Sequence, residues 1–104
     1  MPPLKPPRRA TRRAAQRQHV RDLDRLARLA PGGAPDRPIE VDTPAVVDVM
    51  AEARRCPLCD GPLHLVQHTA ETIDGERLRV AHVKCASCGV PRAIYFRLQA
   101  PLLN

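Results

Sequence analysis

Two stretches of sequence decide the fold of this chain: CPLCDG at residues 56–61 and CASCG at residues 85–89. Each holds two cysteines separated by two residues, a spacing that lets one tight turn present both sulfurs to a single ion. The four cysteines are Cys56, Cys59, Cys85 and Cys88. Four thiolates form a tetrahedral S4 site, which favours Zn²⁺ or, less often, iron. The sequence therefore predicts Zn²⁺ as a cofactor held by these side chains.

The segment between the cysteine pairs predicts a β-hairpin. Asp74-Gly75 is a strong signal for a two-residue turn, and strand-forming segments flank it at 63–73 and 76–85. The turn predicts these opposed residues: Ile73 and Glu76, Glu71 and Leu78, Thr69 and Val80, Leu65 and Lys84. This register brings the two cysteine pairs together at the open end of the hairpin, as a shared ion requires.

Residues 56–98 resemble the zinc ribbon family, in which two Cys-x-x-Cys turns are joined by antiparallel strands. The resemblance implies a positive φ after each second cysteine, which suits Gly89 and is tolerated by Asp60. Residues 93–98 predict a third strand. The expected fold class is small α+β: a zinc-stapled, three-stranded antiparallel ribbon with a largely disordered or helical basic N-terminal extension.

Composition limits the chain to one small domain. Among 104 residues only Tyr95 and Phe96 are aromatic, so the metal is needed to staple a small core. No stretch approaches the ~20 apolar residues of a membrane span, and no membrane partner is expected. Without an apolar signal core, the expected location is cytoplasmic, where paired cysteines bind metal more often than they form disulfides.

Charge and proline content divide the chain into three predicted parts. Residues 1–37 hold ten Lys and Arg against three Asp, a net charge of +7, whereas the rest of the chain has a net charge of −1. The first part is a basic Pro/Arg-rich arm. Residues 38–55 are a connecting segment, in which 39–42 alternate like a short strand and 44–54 are left open between helix and extended chain. Residues 56–104 are the zinc ribbon.

The arm carries the clearest indication of a partner. An extended proline run is predicted at 1–7 and a helix at 11–30. Arginines recur every four residues along this part of the chain: Arg9, Arg13, Arg17, Arg21 and Arg25. Such like charges repel one another, and the phosphates of DNA or RNA would relieve the repulsion. The alternative interpretation is a solvated tail, and the helix lacks the aromatic residues that would indicate base stacking.

The metal site favours a binding module over an enzyme. Four thiolates close the coordination sphere, whereas a catalytic zinc keeps a position open for water or substrate. No small-molecule substrate is expected. The histidines of the hairpin are interpreted as strand residues and not as ligands: His64, His68 and His82.

Three functions follow from these observations, in decreasing order of support. The first is nucleic-acid association through the arm, aided by Arg77 and Arg79 on the hairpin. The second is a protein–protein interaction adaptor that uses an exposed strand edge or the Leu/Val stripe of the arm helix. This stripe consists of Val20, Leu23, Ala27 and Ala30, with Leu26 and Leu29 beside it. The third is an iron electron carrier that resembles rubredoxin, and the shortage of aromatic residues disfavours it.

Overall fold

The computed structural model describes residues 9–99 of the chain. Its elements in chain order are α1 (Arg9–Leu29), β1 (Ile39–Val41), α2 (Pro44–Ala53), β2 (Leu63–Ile73), β3 (Glu76–Cys85) and β4 (Pro91–Leu98). The proline run predicted at 1–7 and the end of the predicted ribbon at 100–104 lie outside the described residues. Within residues 9–99, neither helix is long and apolar enough to cross a membrane.

The central hairpin forms around the predicted turn. Asp74 and Gly75 adopt φ values of 51° and 79°, as a type I′ turn requires. The register predicted next to the turn is confirmed for three pairs: Ile73 and Glu76, Glu71 and Leu78, Thr69 and Val80.

The register predicted at the open end of the hairpin is wrong by one residue. Leu65 lies opposite Val83 and not opposite Lys84, because a β-bulge at Val66 inserts one extra residue into β2. Strict alternation would place Leu65 and Leu63 on the same sheet face as Thr69. The bulge turns both leucines onto the other face, where they join the hydrophobic core.

The sheet is mixed and has four strands, so the predicted three-stranded antiparallel ribbon is wrong in this respect. The strand order is β1-β4-β3-β2, and β1 runs parallel to β4 with Ile39 opposite Phe96 and Val41 opposite Leu98. A parallel pair needs a long connection, which is supplied here by α2 and the whole β2–β3 hairpin. Pairing between segments so far apart leaves no local sequence signal.

Residues 44–53, part of the segment left open between helix and extended chain, form α2. Pro44 occupies the first helical turn, where its missing N–H costs nothing. Val47 and Ala51 point into the sheet and are fully buried together with Phe96 of β4. Their burial outweighs the weak helix propensity of the valines, because tertiary packing supplies most of the stability of a short helix.

The arm forms the single long helix α1, which begins and ends within two residues of the predicted bounds. Three arginines fix its C-terminal end: Arg92 donates to Asp24 (2.9 Å), Arg54 to the carbonyl of Pro31 (3.0 Å) and Arg37 to the carbonyl of Leu29 (3.1 Å). The following turn packs closely on the helix, since a Cβ at Gly33 would lie 1.9 Å from the Ala27 carbonyl oxygen. The arm is therefore attached to the sheet at one end.

Candidate metal centre

The first cysteine pair lies on a tight turn between α2 and β2. The N–H of Asp60 donates to the carbonyl of Cys56 (2.8 Å), and the N–H of Cys56 donates to the carbonyl of Gly61 (2.9 Å). Asp60 has a φ of 62°, a value that only a few residue types accept. These bonds fold the backbone around one side of the sulfur cluster.

The second cysteine pair, between β3 and β4, repeats the same geometry. The N–H of Gly89 donates to the carbonyl of Cys85 (3.0 Å), and the N–H of Cys85 donates to the carbonyl of Val90 (3.1 Å). Gly89 has a φ of 76°, which glycine accepts without steric cost. The two turns thus supply equivalent halves of one site, joined by the hairpin.

The four sulfur atoms form one cluster, as the spacing of the pairs predicts. All four Sγ atoms lie within 4.8 Å of one another. The Sγ atoms of Cys56 and Cys88 are 3.7 Å apart, and those of Cys59 and Cys85 are 3.4 Å apart. A tetrahedral ion with bonds of ~2.3 Å separates its sulfur ligands by about 3.8 Å. The cluster therefore fits one metal ion. Its candidate ligands are two buried cysteines, Cys56 and Cys85, and two exposed ones, Cys59 and Cys88.

The site polarises its sulfurs unequally. The backbone N–H groups of Cys88 and then Ser87 donate to the Cys85 sulfur, each at 3.4 Å, and together they lower the pKa of Cys85 to about 6. The N–H of Gly61 acts to lower the pKa of Cys59. The neighbouring Cys85 sulfur outweighs it and, with the sulfurs of Cys88 and Cys56, raises the pKa of Cys59 to about 12. The raised pKa of Cys59 means that a second thiolate is unfavourable beside the first, because like charges repel. A cation bound among the sulfurs would remove this repulsion and allow all four thiols to lose their protons.

Gly61 allows the two cysteine turns to approach each other. A Cβ at this position would lie 2.6 Å from Oγ of Ser87 and 3.0 Å from Sγ of Cys85. Both distances are shorter than ordinary van der Waals contact. The first turn therefore depends on a glycine that follows Asp60 and precedes β2.

Gly61→Ala should destabilise the protein by about 1–3 kcal/mol, because the added methyl group overpacks the contact with Ser87. Thermal unfolding of the metal-loaded protein measures the loss. Ser87→Gly removes the side chain that the methyl group meets, so the double variant should recover part of the stability. An unchanged unfolding midpoint in the single variant would show that the turns have room to separate.

The histidines of the hairpin lie outside the sulfur cluster. Nδ1 of His68 is 2.8 Å from Oδ1 of Asp48, and this bond joins β2 to α2. Nε2 of His82 lies 3.2 Å from both Glu71 and Thr69 on the opposite face of the sheet. The metal-binding group found among residues 9–99 contains the four cysteines alone.

The arginines proposed to contact phosphate fall into two separate places. The five of the four-residue repeat lie on α1 and are all exposed: Arg9, Arg13, Arg17, Arg21 and Arg25. Arg77 is exposed and Arg79 is half-buried on β3, next to the hairpin turn. Among the described elements, no Cα atom of α1 comes within 8 Å of a strand. The structure therefore does not bring the two groups of arginines together.

One ion pair that positions α1 against the sheet was not predicted from the sequence. Arg92, which precedes Ala93 on β4, is largely buried and pairs with Asp24 of α1. Asp24 also accepts from Arg28 at 3.0 Å, so both of its carboxylate oxygens are neutralised. An aspartate within an arginine-rich helix was the one sequence signal that Asp24 has a specific contact, and it did not identify Arg92 as the partner residue.

No protein-family model matches the chain, and no curated protein or solved structure shows significant similarity to it.

Proposed function

We propose that the ion is Zn²⁺ and that it serves as a structural cross-link in a zinc-ribbon-like domain. The observation that supports this proposal is the pair of equivalent cysteine turns, which surround one S4 site in the manner of that family. Four sulfurs fill a tetrahedral shell and leave no position for a substrate, so the module is non-enzymatic. Iron suits the same ligands, and metal analysis of the purified protein separates the two. A reducing cytoplasm would keep the thiols available.

We further propose that the domain presents α1 to nucleic acid. The observation that carries the proposal is the distribution of charge on this helix. Its seven arginines are all exposed and outnumber two aspartates. At 3.6 residues per turn they cover about 220° of the helix circumference. An arc of this width presents positive charge over more than half of the helix surface, whereas a single stripe would present it along one line, and phosphate contacts of this kind supply affinity without reading the base sequence.

The two aspartates of α1 are arranged so that they do not oppose this contact. Asp24 lies within the arc, but Arg92 and Arg28 pair with its carboxylate. Asp22 lies on the other side of the helix, where Gln18 donates to it at 2.9 Å. The field of the arc is therefore positive along its length, which favours association with a polyanion.

Salt-dependent binding of labelled DNA and RNA tests this proposal. The double variant Arg13→Gln, Arg17→Gln of the full chain should flatten the slope of log K against log salt by about 1.8 on duplex DNA. This value corresponds to two lost phosphate contacts at ~0.9 each. Arg77→Gln with Arg79→Gln changes the net charge by the same amount and is the matched control. The control should flatten the slope by less than half as much as the arm variant does, because Arg77 and Arg79 only assist a contact that α1 makes. Equal affinities and slopes for the arm variant and the unmodified protein would refute nucleic-acid binding by α1.

A second candidate function is protein binding, and one specific observation favours it. The eleven-residue strand β2 lies at the edge of the described sheet, and Val66 at its bulge is 69% exposed. A free edge of this length can accept a further strand from a partner. Leu26 and Leu29 of α1, 63% and 53% exposed, offer another apolar contact. Binding that is insensitive to salt would support this function over the first.

A further inference from the structure

A groove lies between the C-terminal half of α1 and strand β4. Its volume is about 400 Å³, within the range of about 300–1,000 Å³ that is usual for ligand sites. Its lining includes Asp24, Arg28, Pro35, Pro91, Arg92 and Tyr95. The groove begins where the arc of arginines on α1 ends, so a ligand held by the arc reaches it directly.

Tyr95 supplies an aromatic side chain to the lining of this groove. It is the only tyrosine of a chain without tryptophan, and strand alternation places it on the sheet face opposite buried Phe96. Its backbone is held in place, because the N–H of Tyr95 donates to the carbonyl of Gly32 at 2.8 Å. The side chain is half-buried and makes no hydrogen bond to another described residue. An aromatic ring is thus available in the wall of the groove.

The charge inside the groove suits a phosphate-bearing ligand. Asp24 is its acidic member, and Arg92 and Arg28 each pair with one of its oxygens. Two arginines against one aspartate leave a net positive charge. Arg28 is 71% exposed at the side chain, and within residues 9–99 its other guanidinium N–H groups have no hydrogen-bond partner, so they can bind an anion.

We propose that this groove stacks one base of a single-stranded nucleic acid on Tyr95, with the adjoining phosphates on Arg28 and the arc of α1. A ring beside a basic track is the arrangement that binds single strands, because every base has a face that stacks. A base within a duplex is already paired and stacked, so it does not enter the groove. The inference rests on the proposed binding of nucleic acid by α1, and it specifies the single-stranded form.

Tyrosine fluorescence of the full, metal-loaded chain tests the proposal, because Tyr95 is the sole source of the signal above the weak emission of Phe96. Three probes are compared: oligothymidylate, an abasic oligomer with the same number of phosphates, and a duplex of equal length. Oligothymidylate should quench the emission, and the abasic oligomer and the duplex should not. Tyr95→Leu should weaken binding to labelled oligothymidylate by about 5- to 150-fold and leave abasic binding unchanged, whereas Tyr95→Phe should retain the affinity.

Two outcomes would overturn the proposal, and they are distinguishable. Equal binding of oligothymidylate and the abasic oligomer, without quenching and with no effect of Tyr95→Leu, leaves phosphate binding by α1 intact and removes the stacking site. Failure of all three probes to bind refutes the proposed function itself. Unfolding midpoints of the two Tyr95 variants, measured in parallel, separate a lost contact from a lost fold.

Discussion

Chelation of the metal should unfold the sheet that carries the four cysteines. Structural zinc sites in finger peptides contribute ~10–16 kcal/mol at neutral pH, and whole domains are stable by only ~5–15 kcal/mol. The buried core contains one aromatic side chain, Phe96, among small and aliphatic residues, so it does not replace such a contribution. Cys59→Ser should have nearly the same effect, because it removes one of the four sulfur ligands that the tetrahedral ion requires.

Circular dichroism and amide exchange of the strands, recorded with and without chelator, measure this loss. Ser87→Ala is the matched control, since it changes the second cysteine turn but retains the backbone N–H that donates to Cys85. The control should bind one equivalent of zinc and remain folded. Freshly purified protein that lacks metal and keeps its β-structure would contradict the prediction.

The parts of the fold that were predictable from sequence are those specified by neighbouring residues. Asp74-Gly75 accepts the positive φ values of a type I′ turn, and the turn then dictates the pairs beside it. The spacing within each cysteine pair determines a turn that directs two sulfurs to one point. Because the hairpin joins the two pairs, local turn chemistry was sufficient to predict the sulfur cluster.

The parts that were not predictable depend on contacts between distant segments. β1 has three residues and pairs with β4 more than fifty positions later in the chain, so alternation within 39–42 indicated a strand but not its neighbour. The bulge at Val66 follows from the need to bury Leu63 and Leu65 on the side of α2. No turn signal marks that position, and only the packed core selects it.

The candidate site likewise has a part that was predictable from neighbouring residues and a part that depends on contacts between distant segments. The clustered cysteines have a spacing that is chemically specific for a metal site, whereas an arginine repeat specifies charge and not position. The pairing of Asp24 with Arg92 fixes where α1 meets the sheet, and this contact spans sixty-eight positions. The stacking site proposed at Tyr95 was not predicted from the sequence, because the arm helix lacks aromatic residues. The fold supplies Tyr95 from β4 beside the helix, a proximity that exists only in three dimensions.

Phe96→Ala should destabilise the metal-loaded protein by about 3–5 kcal/mol. Phe96 is fully buried in the middle of the sheet, opposite Ile39 of β1 and Arg79 of β3. Removal of its ring loses the transfer free energy and leaves a cavity that the surrounding strands fill only in part. The proposed metal holds the sheet at the cysteine end, five residues from Phe96 along β4 to Pro91 and six from Arg79 along β3 to Cys85. It does not compensate for a cavity at the β1–β4 pair.

Chemical denaturation at saturating zinc measures this effect with the metal contribution held constant. Val49→Ala is the control, because Val49 is 71% exposed on the outer face of α2 and its truncation should change the stability by less than ~0.5 kcal/mol. A large loss for Phe96→Ala would mean that β1 and α2 form part of the cooperative unit that the metal stabilises. A midpoint equal to that of the control would instead mean that the zinc-held hairpin folds alone and that the parallel strand β1 is added to it without cooperative stabilisation.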